Sequence, residues 1–128
     1  MGILGIGVDA VEIERMEVAL ARTPRLMERL FTARELADCR LSDGRMRVPG
    51  LAARFAAKEA VAKALGSGVR GFGFRDIEVT RQSSGRPVAF LHRDAAEYTA
   101  RLGIDRVHVS LSTSRNVAVA NAVAEGRG

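Results

Sequence analysis

Fifteen consecutive positions, Leu51–Leu65, contain neither glycine nor proline, and eleven of them are Ala, Leu, Phe or Val. Such a run reads as a helix, and Gly66 directly after it is a natural C-terminal stop. Projected at about 100° per residue, Leu51, Phe55 and Ala62 fall together, while Ala57, Ala60 and Ala64 cover the opposite side. A helix apolar nearly all round belongs in a core. It nevertheless carries Arg54, Lys58, Glu59 and Lys63. Glu59 projects about 40° from Phe55 and Lys63 about 80°, inside the apolar arc. Burying an isolated charge is costly, so these groups need partners. The chain has eighteen arginines and only two lysines, and both lysines flank Glu59. Arg and Lys differ where charge must be localised. Two explanations follow: an ordinary Glu–Lys helical pair at i,i+4, or a metal or phosphate site.

The whole chain narrows the classes. Its 128 residues suit one domain, 1–128, able to bury roughly two thirds of its unfolded surface. No apolar run approaches the roughly 18 residues of a spanning helix, and no basic region precedes the short apolar N-terminal stretch. A cytoplasmic protein without membrane contact is expected. Cys39 is the only cysteine, which excludes an internal disulfide. Net charge +5 and a pI near 10.6 call for an anionic partner. One Tyr, five Phe and no Trp are few for base stacking, and no nucleic-acid motif is present, which argues against RNA or DNA.

Along the chain, residues 3–11 read as a strand with Leu4, Ile6 and Val8 on one face and Gly5, Gly7 and Asp9 on the other. A helix over 12–22 ends at Thr23-Pro24, and Pro24 suits the first turn of a second helix. Thr32-Ala33-Arg34-Glu35 is a capping box opening a third. Residues 42–49 are expected as a loop and 66–73 as a glycine-rich turn. Strands follow at 76–81 and 88–91, separated by a turn at Ser83-Ser84-Gly85. A short helix over 93–102 offers Ala96, Tyr98 and Leu102 for packing. Alternation of Val107, Val109 and Leu111 with polar residues, a turn near Ser114–Asn116 and a strand from Val117 to Ala124 make a hairpin. Helices first and hairpins later predict an α+β fold, with the long helix packed on antiparallel strands.

Candidate chemistry centres on few residues. Asp9 comes late in its strand after two glycines on its own face, and the missing side chains suggest open space for a ligand or metal. Asp9 could equally be a charge at the N-terminus of the next helix. Asp9 and Glu59, with water and phosphate oxygens, would make a Mg²⁺ site, since this hard ion keeps several waters. His108, Ser110 and Ser112 share one strand face and could bond a phosphate or sugar; a solvated antiparallel strand gives the same alternation. His92 reads as a surface or turn residue. Arg15, Arg22, Arg25 and Arg29 would be co-facial on a continuous helix, as a docking stripe or a solvated face.

Three segments in this order resemble a known family: Gly5-Ile6-Gly7-Val8-Asp9 running to Arg15, Arg54-Phe55-Ala56-Ala57-Lys58-Glu59-Ala60 running to Gly66, and His108-Val109-Ser110-Leu111-Ser112. They are similar to the short, stand-alone holo-(acyl carrier protein) synthases of the 4′-phosphopantetheinyl transferase superfamily. The resemblance implies that fold, and transfer of phosphopantetheine from coenzyme A to a serine of apo acyl carrier protein, releasing 3′,5′-ADP, in support of fatty acid or polyketide synthesis. It implies Mg²⁺ on Asp9 and Glu59, Lys63 against the phosphates, and Arg54, His108 and Ser110 on coenzyme A. Glu59 and Lys63 would be the catalytic pair, with Glu59, or a water it holds, taking the serine proton. Arg15, Arg22 and Arg25 would dock the acidic carrier, and a homotrimer would place each site between subunits. Thr113-Ser114 stand where the family usually has a histidine, often followed by an acid. Two other readings remain open: a basic binding protein without turnover, or a coenzyme A-binding relative without carrier transfer.

Overall fold

The structure, a computed structural model describing residues 1–66 and 72–128, runs β1 (Gly2–Glu12), α1 (Ile13–Arg22), α2 (Leu26–Leu30), α3 (Ala33–Asp38) and α4 (Val48–Ala64). A 3₁₀ turn (Phe74–Asp76) then leads into β2 (Ile77–Arg81), β3 (Pro87–Leu91), α5 (Arg93–Leu102), β4 (Ile104–Thr113) and β5 (Val117–Gly126). This is the expected α+β order. The glycine-rich segment expected as a turn falls largely on 67–71, outside the described residues.

The strands form an antiparallel sheet in the order β1-β5-β4, and β2 and β3 form a separate hairpin. The sheet is built to receive α4. On its inner face Ala120, Ala122 and Ala124 of β5 are buried with Ala56, Ala57, Ala60, Val61 and Ala64 of the helix, and Ala118 with Leu51, Ala52 and Ala53. Alanine on both surfaces lets helix and sheet approach closely. Val107, Val109 and Leu111 of β4 cover the remainder of the same face. The helix thus has the sheet on one side and α1, α3 and β2 around it.

Gly5 and Gly7 overturn one expectation. The space beside them is not open to a ligand. A Cβ on Gly5 would lie 1.9 Å from the Ala64 carbonyl oxygen, and one on Gly7 2.0 Å from that of Ala60. The missing side chains let β1 press against the α4 backbone. This contact sets the position of Asp9, two residues on.

Helix ends follow their local chemistry. Thr32 and Glu35 form the capping box of α3, with Glu35 N–H donating to Thr32 Oγ1 at 3.2 Å and Thr32 N–H to Glu35 Oε1 at 2.8 Å. The long helix begins at Val48 rather than Leu51, taking in part of the expected loop. Pro49 lies in its first turn, where the missing N–H would have had no helical acceptor. In α5 the packing face is Ala95 and Thr99, with Tyr98 partly packed, rather than Ala96, Tyr98 and Leu102; Leu102 is 38% exposed.

Candidate functional site

The charged residues of α4 divide in a way its projection did not anticipate. Glu59 and Lys63 are not enclosed: with Phe55 they make up the one stripe left open beyond the first turn of the helix. The buried cations are Arg54 and Lys58. Lys58 is fully enclosed, and its Nζ donates to Glu35 Oε1 at 2.8 Å, to the Phe74 carbonyl at 2.9 Å and to the Ile77 carbonyl, which uses all three ammonium protons. Glu35, equally enclosed, also accepts from Val79 N–H at 2.8 Å. Burial pushes the Lys58 ammonium down and Glu35 opposes that. Arg54, expected on the cofactor, is 3% exposed. Its Nε donates to the Val79 carbonyl at 3.1 Å and its Nη1 to Gly50 at 3.2 Å, and Asp38 lies 3.8 Å away. Lys58 and Arg54 therefore fasten α4 to α3 and β2 from behind.

On the open side, β1 brings Asp9 to the helix. Lys63 Nζ donates to the Val8 carbonyl at 3.0 Å and stands 3.4 Å from Asp9 Oδ1. The Glu59 carboxyl is held above its ordinary range, first by partial burial and then by the Asp9 charge, with Lys63 working the other way. Two carboxylates that repel each other beside one ammonium form a seat for further positive charge. Among the described residues no group of three or more His, Cys, Asp or Glu forms a metal cage. A hard ion that keeps several waters and takes its other ligands from phosphates fits two carboxylates on an open face. Phe55, one turn before Glu59, stacks on Phe74 with ring centroids 5.4 Å apart.

His108 and Ser110 lie elsewhere. Asp9 pairs with Ala120 on the inner face, whereas His108 pairs with Val123 and Ser110 with Asn121 on the outer one. The same rows continue to Ile6 and Val8 of β1. Within one chain the sheet therefore separates Asp9 from His108 and Ser110, while Lys63, at the β1 edge, also borders Ile6, Val8, Asn121 and Val123 of the outer face. His108 Nε2 is 3.1 Å from Glu125 Oε1. Ser114 Oγ accepts from Val117 N–H at 3.3 Å and closes the hairpin beside Thr113. His92 is the residue before α5 and its side chain meets Glu78 at 3.1 Å, in keeping with a turn residue.

The arginine stripe is split. Arg15 and Arg22 line a groove on α1 with Val18, while Arg25 and Arg29, beyond the Thr23-Pro24 turn, line a different cleft with Arg75 and Arg93. Sequence reasoning missed these last two, and scattered surface arginines carry no signal of convergence. The described residues include no helix long and apolar enough to cross a membrane.

Comparison with known proteins identifies the family. The family model described as 4′-phosphopantetheinyl transferase superfamily matches residues 5–122. A holo-[acyl-carrier-protein] synthase of Streptomyces avermitilis is 49% identical over 127 residues, covering 98% of this chain and 100% of that one. One from Clostridium novyi is 43% identical over 123 residues, covering 96% and 88%. Among solved structures, the holo-[acyl-carrier-protein] synthase of Neisseria meningitidis superposes with TM-score 0.87 at 35% identity, covering 96% of this chain and 98% of that one. The Helicobacter pylori enzyme in complex with coenzyme A gives 0.81 at 29%, covering 94% and 99%. With the model match spanning most of its length and relatives near half identity, this chain belongs to the 4′-phosphopantetheinyl transferase superfamily.

Proposed function

We propose that this chain is a holo-(acyl carrier protein) synthase, transferring 4′-phosphopantetheine from coenzyme A to a serine hydroxyl of apo acyl carrier protein and releasing 3′,5′-ADP. The observation that carries the reading is the meeting of Asp9, Glu59 and Lys63 at the β1–α4 seam, within a chain so similar to such synthases. Asp9 and Glu59 would hold Mg²⁺, which supplies positive charge to diphosphate oxygens during phosphoryl transfer. Lys63 places a compact ammonium against the same phosphates. Glu59 accepts the serine proton, directly or through a water. Arg54 acts by fastening α4 rather than by reaching the cofactor, since chain acceptors already engage its guanidinium.

His108 and Ser110 contact the nucleotide part of coenzyme A from a neighbouring subunit in a trimer. Two features support that arrangement. They lie across the sheet from Asp9, so a single chain does not present both sets to one ligand. The outer face they share also carries Ile6 at 70% and Val8 at 55% exposure, the kind of apolar surface that marks an interface. Arg15 and Arg22 on α1, with Arg25 after it, dock the carrier. The whole chain, 1–128, acts as one domain in the cytoplasm, serving fatty acid or polyketide synthesis.

The test is incubation with apo carrier, coenzyme A and Mg²⁺, read by intact mass. A carrier heavier by one phosphopantetheine supports the reading; an unchanged carrier, while a competent synthase modifies the same sample, rejects it.

A further inference from the structure

One surface feature reaches beyond the residues given a role above, sharing only Arg25 with them. Arg25 and Arg29 of the α2 region face Arg75 of the 3₁₀ turn and Arg93 of α5 across a cleft of about 650 Å³. Four cations converge there with two acids, Glu28 and Asp76. Asp76 is already engaged: it accepts from Arg93 Nε at 2.9 Å and from Gly73 N–H at 3.3 Å. Arg25, Arg29 and Arg75 form no ion pair among the described residues, leaving Glu28 alone to offset them. Such convergence is unfavourable without an anionic occupant, because like charges repel across a shared cleft.

Two further observations fix the shape and place of the cleft. Arg93 sits at φ +47°, a left-handed conformation that a long side chain adopts only when its surroundings impose it. The ion pair with Asp76 holds it at the cleft. Phe74 also lines the cleft and stacks on Phe55, which precedes Glu59 by one helical turn, about 6 Å along the axis. The cleft is thus linked through Phe74 and Phe55 to the helix that carries Glu59, and Arg25 on its rim follows Arg22 of α1 across the Thr23-Pro24 turn.

We propose that this cleft seats an acidic segment of the carrier protein, so that docking runs from α1 across the Thr23-Pro24 turn to Arg29, Arg75 and Arg93. The inference rests on the carrier-modifying activity above and adds a second contact, which fixes the carrier's rotation about the α1 groove. Its charges act on encounter and orientation rather than on the chemical step.

The experiment uses the full-length protein with apo carrier and coenzyme A varied separately. Arg75→Glu and Arg29→Glu change exposed residues, and thermal denaturation checks their folding. Each should raise KM for the carrier about three- to tenfold, the scale of one exposed charge interaction reversed. KM for coenzyme A and kcat should stay within about twofold, and the salt dependence of the carrier KM should become shallower. An unchanged carrier KM in both variants overturns the cleft, as does a parallel rise in KM for coenzyme A. Arg15→Glu separates the two levels of argument. If it impairs carrier modification while both cleft variants behave as wild type, the docking assignment to α1 stands and the cleft falls. A wild-type protein inert toward apo carrier removes the activity and the cleft together.

Discussion

Substituting Gly7 by alanine tests how the fold sets its site. The new methyl would start 2.0 Å from the Ala60 carbonyl oxygen and 2.9 Å from the Ala64 nitrogen, both backbone atoms of α4. Ordinary contact begins near 3.4 Å, so strand and helix must part by about 1.4 Å. Neither can yield cheaply, because β1 is laddered to β5 from Gly2 to Glu12 and α4 is enclosed on its other sides. Overpacking of this kind costs about 1–3 kcal/mol, and each kcal/mol lowers Tm by about 3–5 °C in a chain of this size. Asp9, two residues on, moves away from Glu59 and Lys63 by a comparable distance. A misplacement of about 1 Å can lower turnover about a hundredfold. Gly2→Ala, with nothing within 4 Å of the added atom, serves as the stability control. Denaturation and carrier-modification kinetics on the three proteins decide the matter. Wild-type Tm in Gly7→Ala would refute the packing argument; lowered Tm with undiminished kcat/KM would refute the claim that this contact positions Asp9.

Other outcomes follow from the same geometry. Glu59→Gln should abolish Mg²⁺-dependent transfer without lowering Tm at neutral pH. Partial burial and the Asp9 charge hold the folded Glu59 carboxyl above its ordinary value, so the folded state keeps its proton longer and stability falls as pH rises through that window. Glutamine removes that penalty, and an active Glu59→Gln would exclude Glu59 as the base. In the wild type the rate should climb with pH as the Glu59 carboxyl loses its proton; a pH–rate profile flat through the carboxylate range would contradict the assignment. Lys58→Ala leaves Glu35 buried without its cation and should cost about 3–5 kcal/mol by urea denaturation. A loss below about 1 kcal/mol would mean the pair is not the anchor described. Mixed oligomers of Asp9→Asn and His108→Ala chains should be more active than either variant alone, and no recovery on mixing would count against sites shared between subunits.

The elements were legible because local chemistry specifies them. Thr32 and Glu35 announce a helix start, Ser114 a turn, and the alternation from Val107 to Ser112 a strand with one face inward. The site was legible only in part. Asp9, Glu59 and Lys63 could be named from their residue types and their family pattern, but the reason they meet could not. It lies in the absence of side chains at Gly5 and Gly7 and in the carbonyl oxygens they approach, 53 or more positions along the chain. Projection placed Glu59 and Lys63 within the apolar arc because alanine does not distinguish a buried face from an open one. What encloses Lys58 and Arg54 comes from Glu35, Phe74, Ile77 and Val79, distant in sequence and unmarked by any pattern. Pro49 was read as a loop residue, although a first-turn proline breaks no helical hydrogen bond.

The most direct test of a divalent-ion site at the β1–α4 seam is anomalous diffraction from crystals grown with coenzyme A and Mn²⁺ in place of Mg²⁺. A single manganese peak should lie about 2.0–2.2 Å from carboxylate oxygens of both Asp9 and Glu59 and reach the diphosphate of the ligand. Manganese held on the diphosphate with neither carboxylate in its coordination sphere would contradict it.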